Sequence, residues 1–433
     1  MTAVLGPRAQ RTVLVGMVAY IALGAFEALA VATAMPAVAA ELDGLRLYTY
    51  AFAATSAAAV AGIVVAGRWT DRRGPTPVLW TGIALFLTGL LMAGLAPDMG
   101  VLLAGRVLQG VGSGLEGVAL YVLVAKVFPE TRRPKVFAWF AAAWVVPGVV
   151  GPLVAGLVTQ HLGWRWVFLA VPVLALPALL ALRPGLHAAR GPDDPTGAAE
   201  PTAPVPVRDI VRPVLRGARG LGTVVLVRVL LSAAFVGAEV LVPLALVHER
   251  GLAPTVAGAV LTLHVLGWST GSWLRGRGAR GLSHAGFLRL GGASLAAGVA
   301  GVALVTVPGV PLAVGAAPWA LAGLGMGLSY PTLSLLALEL APTNGQGTTM
   351  SALQVADTAA AAAALSVTGA VLWPLRDHLG LGAYAVCLAL GALLAASAAV
   401  LAGRTRPRVT KSLAHPPSSQ EADDESAPLP AST

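Results

Sequence analysis

Five charged residues lie deep inside long apolar stretches of this sequence: Glu27, Arg106, Glu116, Glu239 and Asp357. A carboxyl group among apolar side chains can gain and lose a proton near neutral pH, which is the chemistry of proton transfer. Arginine keeps its proton, so Arg106 would instead bias a nearby acid or hold an anionic group. Because a buried charge is costly unless it is compensated, we predict that these five residues couple to protons. A packing role is the alternative for each.

Helical spacing gives these residues neighbours. Gln109 and Ser113 share the helix face of Arg106, and Glu116 lies on the same side further along. Two other polar residues are expected to be structural. Arg228 is expected to extend its side chain toward a membrane surface, and His264 to be a satisfied histidine at a helix interface.

The composition explains what surrounds these charges. The chain has 433 residues, of which 56% are hydrophobic and 11% charged, whereas a soluble domain has about 25% charged residues. Apolar runs of about 20 residues recur along the chain, which is the length of a membrane-spanning helix. They do not alternate with a period of two, so we predict helices rather than strands. The first run is too long and too charged, at Glu27, to be a cleaved signal peptide.

We therefore predict an all-α membrane protein with twelve transmembrane helices in two six-helix halves. The predicted spans are 12–35, 47–67, 77–96, 100–127, 136–160, 164–183, 220–247, 254–274, 286–307, 315–340, 348–372 and 381–403.

The spans divide the chain into five parts. We predict a cytoplasmic N-terminus over residues 1–11 and an N-terminal bundle over 12–183. A Pro/Gly/Ala-rich cytoplasmic linker over 184–219 separates it from a C-terminal bundle over 220–403. The Pro/Ser-rich and acidic tail over 404–433 is predicted to be disordered.

The basic residues indicate the topology. The net charge is +9, and most of the 29 Lys and Arg residues fall in segments that lie on one side if the N-terminus is cytoplasmic. This asymmetry follows the positive-inside rule, so both termini are predicted to be cytoplasmic. It also argues against a nucleic-acid partner, because the charges serve as topology signals. Cys387 is the only cysteine, which excludes an internal disulfide and a cysteine metal site.

The two predicted halves resemble each other. A Gly-x-Gly-x-Gly triplet in the fourth span, Gly110 to Gly114, matches another in the tenth span, Gly323 to Gly327. Repeated halves in a membrane protein indicate a transporter in which one bundle rocks against the other.

A short charged stretch, GRWTDRRGP, joins the second and third spans at Gly67–Pro75. Its glycines and proline allow a tight turn, and the arginines suit an anionic cytoplasmic membrane face. Asp71 opposes that signal and needs a partner, so it could latch one conformation. A solvated turn is the alternative.

This stretch resembles the loop signature G-x-x-x-D-R-x-G-R-R of the major facilitator superfamily, through Gly67, Asp71, Arg72 and Gly74. Arg106-x-x-Gln109-Gly110 resembles the fourth-span motif of that family, in which the arginine is tied to proton coupling. The resemblance implies that Asp71 is a conformational latch. Pro75 and Thr76 depart from the usual basic pair of the signature.

The fifth span carries a further signature, G-x-x-x-G-P-x-x-G-G, matched by Gly148, Gly151, Pro152 and Gly156, with Ala155 in place of one glycine. In the family this motif accompanies drug/proton antiporters. The resemblance implies proton-coupled export of a small amphipathic or drug-like molecule by alternating access.

The resemblance further implies a monomer in the plasma membrane, driven by the proton gradient, with no metal and no bound cofactor. No phosphate-binding loop of the G-x-x-x-x-G-K-[ST] type is present, so ATP drive is not expected, and no nucleophile motif indicates an enzyme. A proton-coupled nutrient importer, a lipid or glycolipid flippase and a receptor without transport are the alternatives.

Overall fold

The chain folds into a succession of helices. The structure is a computed structural model that describes residues 6–188, 219–277, 282–341 and 346–405, and the regular elements in these ranges are all helical. The helices of ten or more residues are α1 (Pro7–Glu41), α2 (Tyr48–Arg73), α3 (Pro75–Gly94), α4 (Met99–Val127), α5 (Arg133–Ala142), α6 (Val145–His161), α7 (Arg165–Ala188), α8 (Leu221–Leu244), α9 (Pro254–Arg277), α10 (His284–Val302), α11 (Leu312–Leu340), α12 (Gln346–Leu379) and α13 (Gly382–Leu401).

Ten of these helices, within the described ranges, are long and apolar enough to cross a membrane: α1 to α4, α7, α8 and α10 to α13. Helix α6 is apolar but shorter, and α9, although 24 residues long, is not among the ten. The prediction of an all-helical membrane fold is confirmed at this level, whereas twelve crossings stay a prediction.

The helix ends differ from the predicted ones where no residue stops the helix. Helix α1 begins at Pro7, because proline is favoured in a first turn, and therefore includes part of the predicted N-terminal segment 1–11. Helix α7 runs to Ala188 and enters the predicted linker 184–219. Most of that linker and nearly all of the tail 404–433 lie outside the described residues.

The charged stretch after the second span is mostly helical and not a loop. Helix α2 continues through Arg73, so Gly67, Asp71 and Arg72 lie on its last two turns. The turn falls at Gly74, whose φ of 73° is a conformation that glycine adopts without strain. Pro75 then begins α3 in the position that proline favours.

The predicted fifth span is divided into α5 and α6. The helix stops at Ala142 and resumes at Val145, just before Pro147. The ring of a proline clashes with the carbonyl four residues earlier, in this case that of Ala143, so a continuous helix through this point is disfavoured. The amide of Gly148 bonds to the carbonyl of Trp144, which restarts the helical ladder at 2.9 Å.

The helices before residue 189 and those after residue 218 pack in the same order. Helix α4 packs against α2 and α3, and α1 packs against α6 and α7. Correspondingly, α11 packs against α9 and α10, and α8 packs against α12 and α13. The two groups meet where α2 contacts α12 and where α6 contacts α9.

The two glycine triplets explain how these helices approach one another. A Cβ atom on Gly110 or Gly114 would collide with α2 backbone at Thr55 and Ala59, whereas one on Gly112 would collide with α3 at Phe86. In α11, Gly323 and Gly327 likewise lie against the carbonyls of His264 and Trp268 in α9. Gly325 lies against Gly291 in α10. Each triplet therefore lets one helix contact two neighbours at backbone distance.

The seam between α6 and α9 should be equally intolerant of an added methyl group. We expect Gly258→Ala to destabilise the protein by about 1–3 kcal/mol, because its Cβ would meet the Pro152 carbonyl. Gly117→Ala is the matched control, since no atom outside its own helix backbone lies within 4 Å of a Cβ at that position. The thermal unfolding midpoints of both variants in detergent test this. Equal midpoints would contradict the packing described above.

Candidate functional site

The first polar cluster joins α1 to α4 through Glu27 and Arg106. Nη1 of Arg106 donates to Oε1 of Glu27 at 2.8 Å and to Oε1 of Gln109 at 2.6 Å. Nε of Arg106 lies 3.4 Å from the carbonyl oxygen of Ala51 in α2. Glu27 and Arg106 are both at least 95% buried. Because each charge is compensated at short range, the pair can exist in apolar surroundings.

A second buried acid lies about three helical turns along α4. The hydroxyl of Tyr20 in α1 donates to Oε2 of Glu116 at 2.6 Å. Glu116 therefore has a neutral partner, unlike Glu27. Tyr20 is absent from the residues predicted from the sequence, although it precedes Glu27 by seven residues and so shares its helix face.

A third cluster joins α8, α11 and α12. Asp357 accepts from Nη2 of Arg228 at 3.1 Å and from the hydroxyl of Tyr330 at 3.0 Å. The guanidinium carbon of Arg228 lies 3.5 Å from the centre of the Tyr330 ring. Arg228 does not extend toward a membrane surface, contrary to expectation, because the carboxylate and the ring hold it inside the bundle.

Glu239 lies apart from these clusters. Its Oε1 is 3.8 Å from Nε2 of His264 in α9, which is longer than a hydrogen bond. His264 is buried, and its Nδ1 has no hydrogen-bond partner among the described residues. His264 therefore lies at a helix interface, as expected, but its Nδ1 is not hydrogen-bonded, contrary to the expectation of a satisfied histidine.

The residues predicted to form a latch lie at the ends of α2 and α3. Asp71 and Arg72 are exposed. Asp71 makes no ion pair with any residue in the described part of the chain. Its predicted role as a latch stays a prediction.

The glycines of the fifth-span signature lie at helix contacts. Gly148 faces Val265 of α9, Gly151 faces Phe26 of α1, and Gly156 faces the backbone of Thr255. The carbonyl oxygen of Pro152 packs against Gly258 of α9. The signature thus builds the seam between α6 and its neighbours.

Near the C-terminal end of α1, two acids join the ends of separate helices: Glu41, which is exposed, and Glu249, which is half-buried. Glu41 accepts from the indole of Trp164 at 2.9 Å and from Arg165 at the start of α7. After α8 a π-helical turn carries Glu249, which accepts from Arg376 of α12 and Tyr384 of α13, both at 2.9 Å. Neither set of contacts was predicted from the sequence, because a charged residue at a helix end is usually solvated.

The sequence profile of the Major Facilitator Superfamily matches residues 12–365. The chain belongs to the Major Facilitator Superfamily. It is accordingly a multi-pass membrane protein from a family whose members are secondary transporters and not enzymes.

Several curated members of the superfamily match part of the chain. Multidrug resistance protein 3 of Bacillus subtilis (strain 168) is 30% identical over 172 residues, which are 40% of this chain and 34% of that protein. The multidrug transporter protein MdtP of the same organism is 27% identical over 183 residues, covering 42% and 34% of the two chains. The matches span about a third of the length of these relatives.

Solved transporters share the fold along nearly the whole chain. A POT family transporter, PepTSo, superposes with a TM-score of 0.69 at 15% identity, covering 92% of this chain and 97% of the other. A D-xylose-proton symporter superposes with a TM-score of 0.65 at 17% identity, covering 89% and 96%. At such low identity these superfamily structures establish the fold alone.

The Glu27–Arg106 pair should matter far more to stability than an exposed pair. We expect Arg106→Gln to destabilise the protein by about 3–5 kcal/mol, because it leaves the Glu27 carboxylate buried without its cation. Arg165→Gln, which breaks the exposed pair with Glu41, should cost about 1 kcal/mol or less. Thermal unfolding in detergent compares the two.

The double variant Glu27→Gln/Arg106→Gln provides the internal check. It removes both charges, so its unfolding midpoint should lie above that of Arg106→Gln alone. Additive losses from the two substitutions would contradict a coupled pair.

Proposed function

We propose that this chain is a proton-coupled exporter of a small amphipathic or drug-like molecule, working by alternating access. The observation that carries the proposal is the buried Glu27–Arg106–Gln109 cluster between α1 and α4. Export is supported by the multidrug relatives and by the fifth-span signature. The protein would act as a monomer in the plasma membrane, with the proton gradient as its energy source and no cofactor.

Glu27 is the proton carrier in this proposal, and Arg106 controls it. When Glu27 is ionised, Arg106 holds it and ties α1 to α4. A proton on Glu27 cancels the attraction and leaves Arg106 with Gln109 and the Ala51 carbonyl. The relative stability of the two conformations then depends on the proton, which couples the gradient to the rocking motion. Glu116, Glu239 and Asp357 are the further candidate carriers.

Twelve crossings in two six-helix halves complete the proposed architecture. Helices α5 and α6 together would form the fifth crossing and α9 the eighth, which gives each half six crossings. The repeated order of helix contacts and the equivalent glycine triplets support this division. An even number of crossings leaves both termini on the same side, which the distribution of basic residues makes the cytoplasm.

The contacts between the halves support a cytoplasm-facing conformation in this topology. At the outer ends, the hydroxyl of Tyr48 in α2 bonds to the Val240 carbonyl at 2.7 Å, and Thr255 bonds to Gln160 at 2.6 Å. Asp71, at the opposite end of α2, lies exposed. A latch at Asp71 would therefore engage when the transporter turns outward.

Proton movement induced by a compound tests the proposal. The purified chain is reconstituted into liposomes that contain a pH-sensitive dye, and cationic, neutral and anionic amphipathic compounds are added in turn. We expect at least one compound to move protons, and Glu27→Gln to reduce that flux at least tenfold. Glu41→Gln, the same substitution in an exposed acid of the same helix, should retain most of it.

The direction of transport separates an exporter from an importer. In inside-out membrane vesicles with an acidic interior, an antiporter accumulates the compound, whereas a proton symporter empties it. Accumulation that Glu27→Gln abolishes supports the proposal. Emptying, or lipid movement between leaflets without proton flux, would instead identify an importer or a flippase.

A further inference from the structure

Two side-chain contacts bridge α1 and α4, and they differ in charge. At the first contact the Glu27 carboxylate meets the fixed cation of Arg106 at 2.8 Å. At the second, the Glu116 carboxyl group meets the Tyr20 hydroxyl at 2.6 Å. Glu116 is only 9% exposed and makes no ion pair with any described residue. A buried acid without a counter-charge therefore lies close to one that has a counter-charge.

Few ionisable groups surround Glu116. Helix α3, which packs against α4, contains none over Pro75–Gly94. In α2, α5 and α7 the ionisable residues lie near the helix ends: Tyr48, Tyr50, Arg68, Asp71, Arg72, Arg73, Arg133, Lys135, Arg165, Arg183 and His187. Along the α1–α4 contact, between Tyr20 and Glu27, Arg106 is the only cation in the described chain, and it is paired with Glu27. Because an isolated carboxylate is costly in apolar surroundings, a proton is what remains to neutralise Glu116.

Open space borders the Tyr20–Glu116 contact on both helices. No atom outside its own helix lies within 4 Å of a Cβ added at Gly24 or at Gly117. Gly24 lies one helical turn after Tyr20, and Gly117 directly follows Glu116, so both glycines lie beside the contact. Helix α1 packs against α6 and α7, whereas α4 packs against α2 and α3. The space between α1 and α4 is therefore bridged by side chains, and a proton on Glu116 has a way out of the helix packing.

This open space leads toward the cytoplasm in the proposed topology. Tyr20 lies closer than Glu27 to the start of α1, and Glu116 lies closer than Arg106 to the end of α4. Both of these helix ends are cytoplasmic in that topology. At the outer ends the two helix groups are in contact, where Tyr48 bonds to the carbonyl of the α8 residue Val240. Glu116 therefore lies on the open side of the Glu27–Arg106 pair.

We propose that Glu116 and Tyr20 form a second proton-binding site, so that the exporter exchanges two protons in each cycle, one through Glu27 and one through Glu116. In the cytoplasm-facing conformation the Glu116 carboxyl group gives its proton to cytoplasmic water. The Tyr20 hydroxyl then donates a charge-assisted hydrogen bond to the carboxylate that remains.

The two carboxyl groups change access together, because α1 and α4 belong to the same helix group. When that group rocks against the other, both carboxylates turn to the outer side and each takes up a proton there. The inference rests on the proposed function, because it adds a second carrier to the same cycle and fixes the number of protons.

Infrared spectroscopy of the purified full chain in detergent tests whether Glu116 holds a proton. A protonated carboxyl group has a carbonyl stretch that a carboxylate lacks. At neutral pH we expect this band in the wild type and its loss in Glu116→Gln. Tyr20→Phe should shift the band, because the carboxyl group loses its hydrogen bond.

The control variant is Tyr121→Phe, which removes the hydroxyl of an exposed tyrosine of α4 that makes no hydrogen bond within the described part of the chain. It should leave the band unchanged. If Glu116→Gln fails to fold, Tyr20→Phe still tests the assignment, since it keeps both the carboxyl group and the ring. A band that neither variant alters would overturn the inference.

The number of protons moved per molecule of compound tests the exchange itself. In liposomes, the pH-sensitive dye gives the protons and a radiolabelled compound gives the transported molecules. We expect two protons per molecule for the wild type and for Glu41→Gln, and a ratio halved in Glu116→Gln. A ratio that Glu116→Gln leaves unchanged would overturn the inference, even if the infrared band is assigned to Glu116.

Failure of this inference is distinguishable from failure of the proposed function. If compounds move protons in a Glu27-dependent manner but neither the band nor the ratio depends on Glu116, the exporter stands and the second site falls. If no compound moves protons, proton-coupled export falls, and the infrared band alone decides whether Glu116 binds a proton.

Discussion

The cost of a charge in apolar surroundings governs this structure. Each buried arginine of the described bundle, Arg106 and Arg228, lies against a carboxylate from another helix. The pairs fix which helices meet, because separating them would leave two charges without compensation. The packing of small residues around them can then be close, since each charge has its counter-charge within the protein. The same cost makes the pairs sensitive to protons, because a proton on the carboxylate removes one charge and leaves the other.

The fold class could be predicted from the sequence because the signal is long and repetitive. Hydropathy alone identifies most of the helices, and the two glycine triplets mark the helices that approach two neighbours at once. The residues at which helices begin and end were harder to predict than the helices themselves. Nothing in the sequence after Gly67 stops a helix before Gly74, and a single proline, Pro147, was enough to divide the fifth span.

The candidate site could be predicted in part. Residue type and burial identified Glu27 and Arg106, because a charge in an apolar run is conspicuous. Their partners were not predicted, since a contact between helices depends on how each helix is rotated, which local sequence does not encode. Tyr20 had a weak signal in its spacing from Glu27. Tyr330 and the pairing of Arg228 with Asp357 had none, because these residues come from three helices that are distant in sequence.

The glycine seams have a consequence for how such a protein can diversify. At these seams the contacts are largely with backbone, so they carry little information about side chains. A larger residue at these seams would collide with a neighbouring backbone, whereas a side chain that contacts no neighbouring backbone can be exchanged without moving the framework. The scaffold and the chemical preference are thus encoded in different residues. New transported molecules can arise from a few substitutions around the centre while the glycines remain in place.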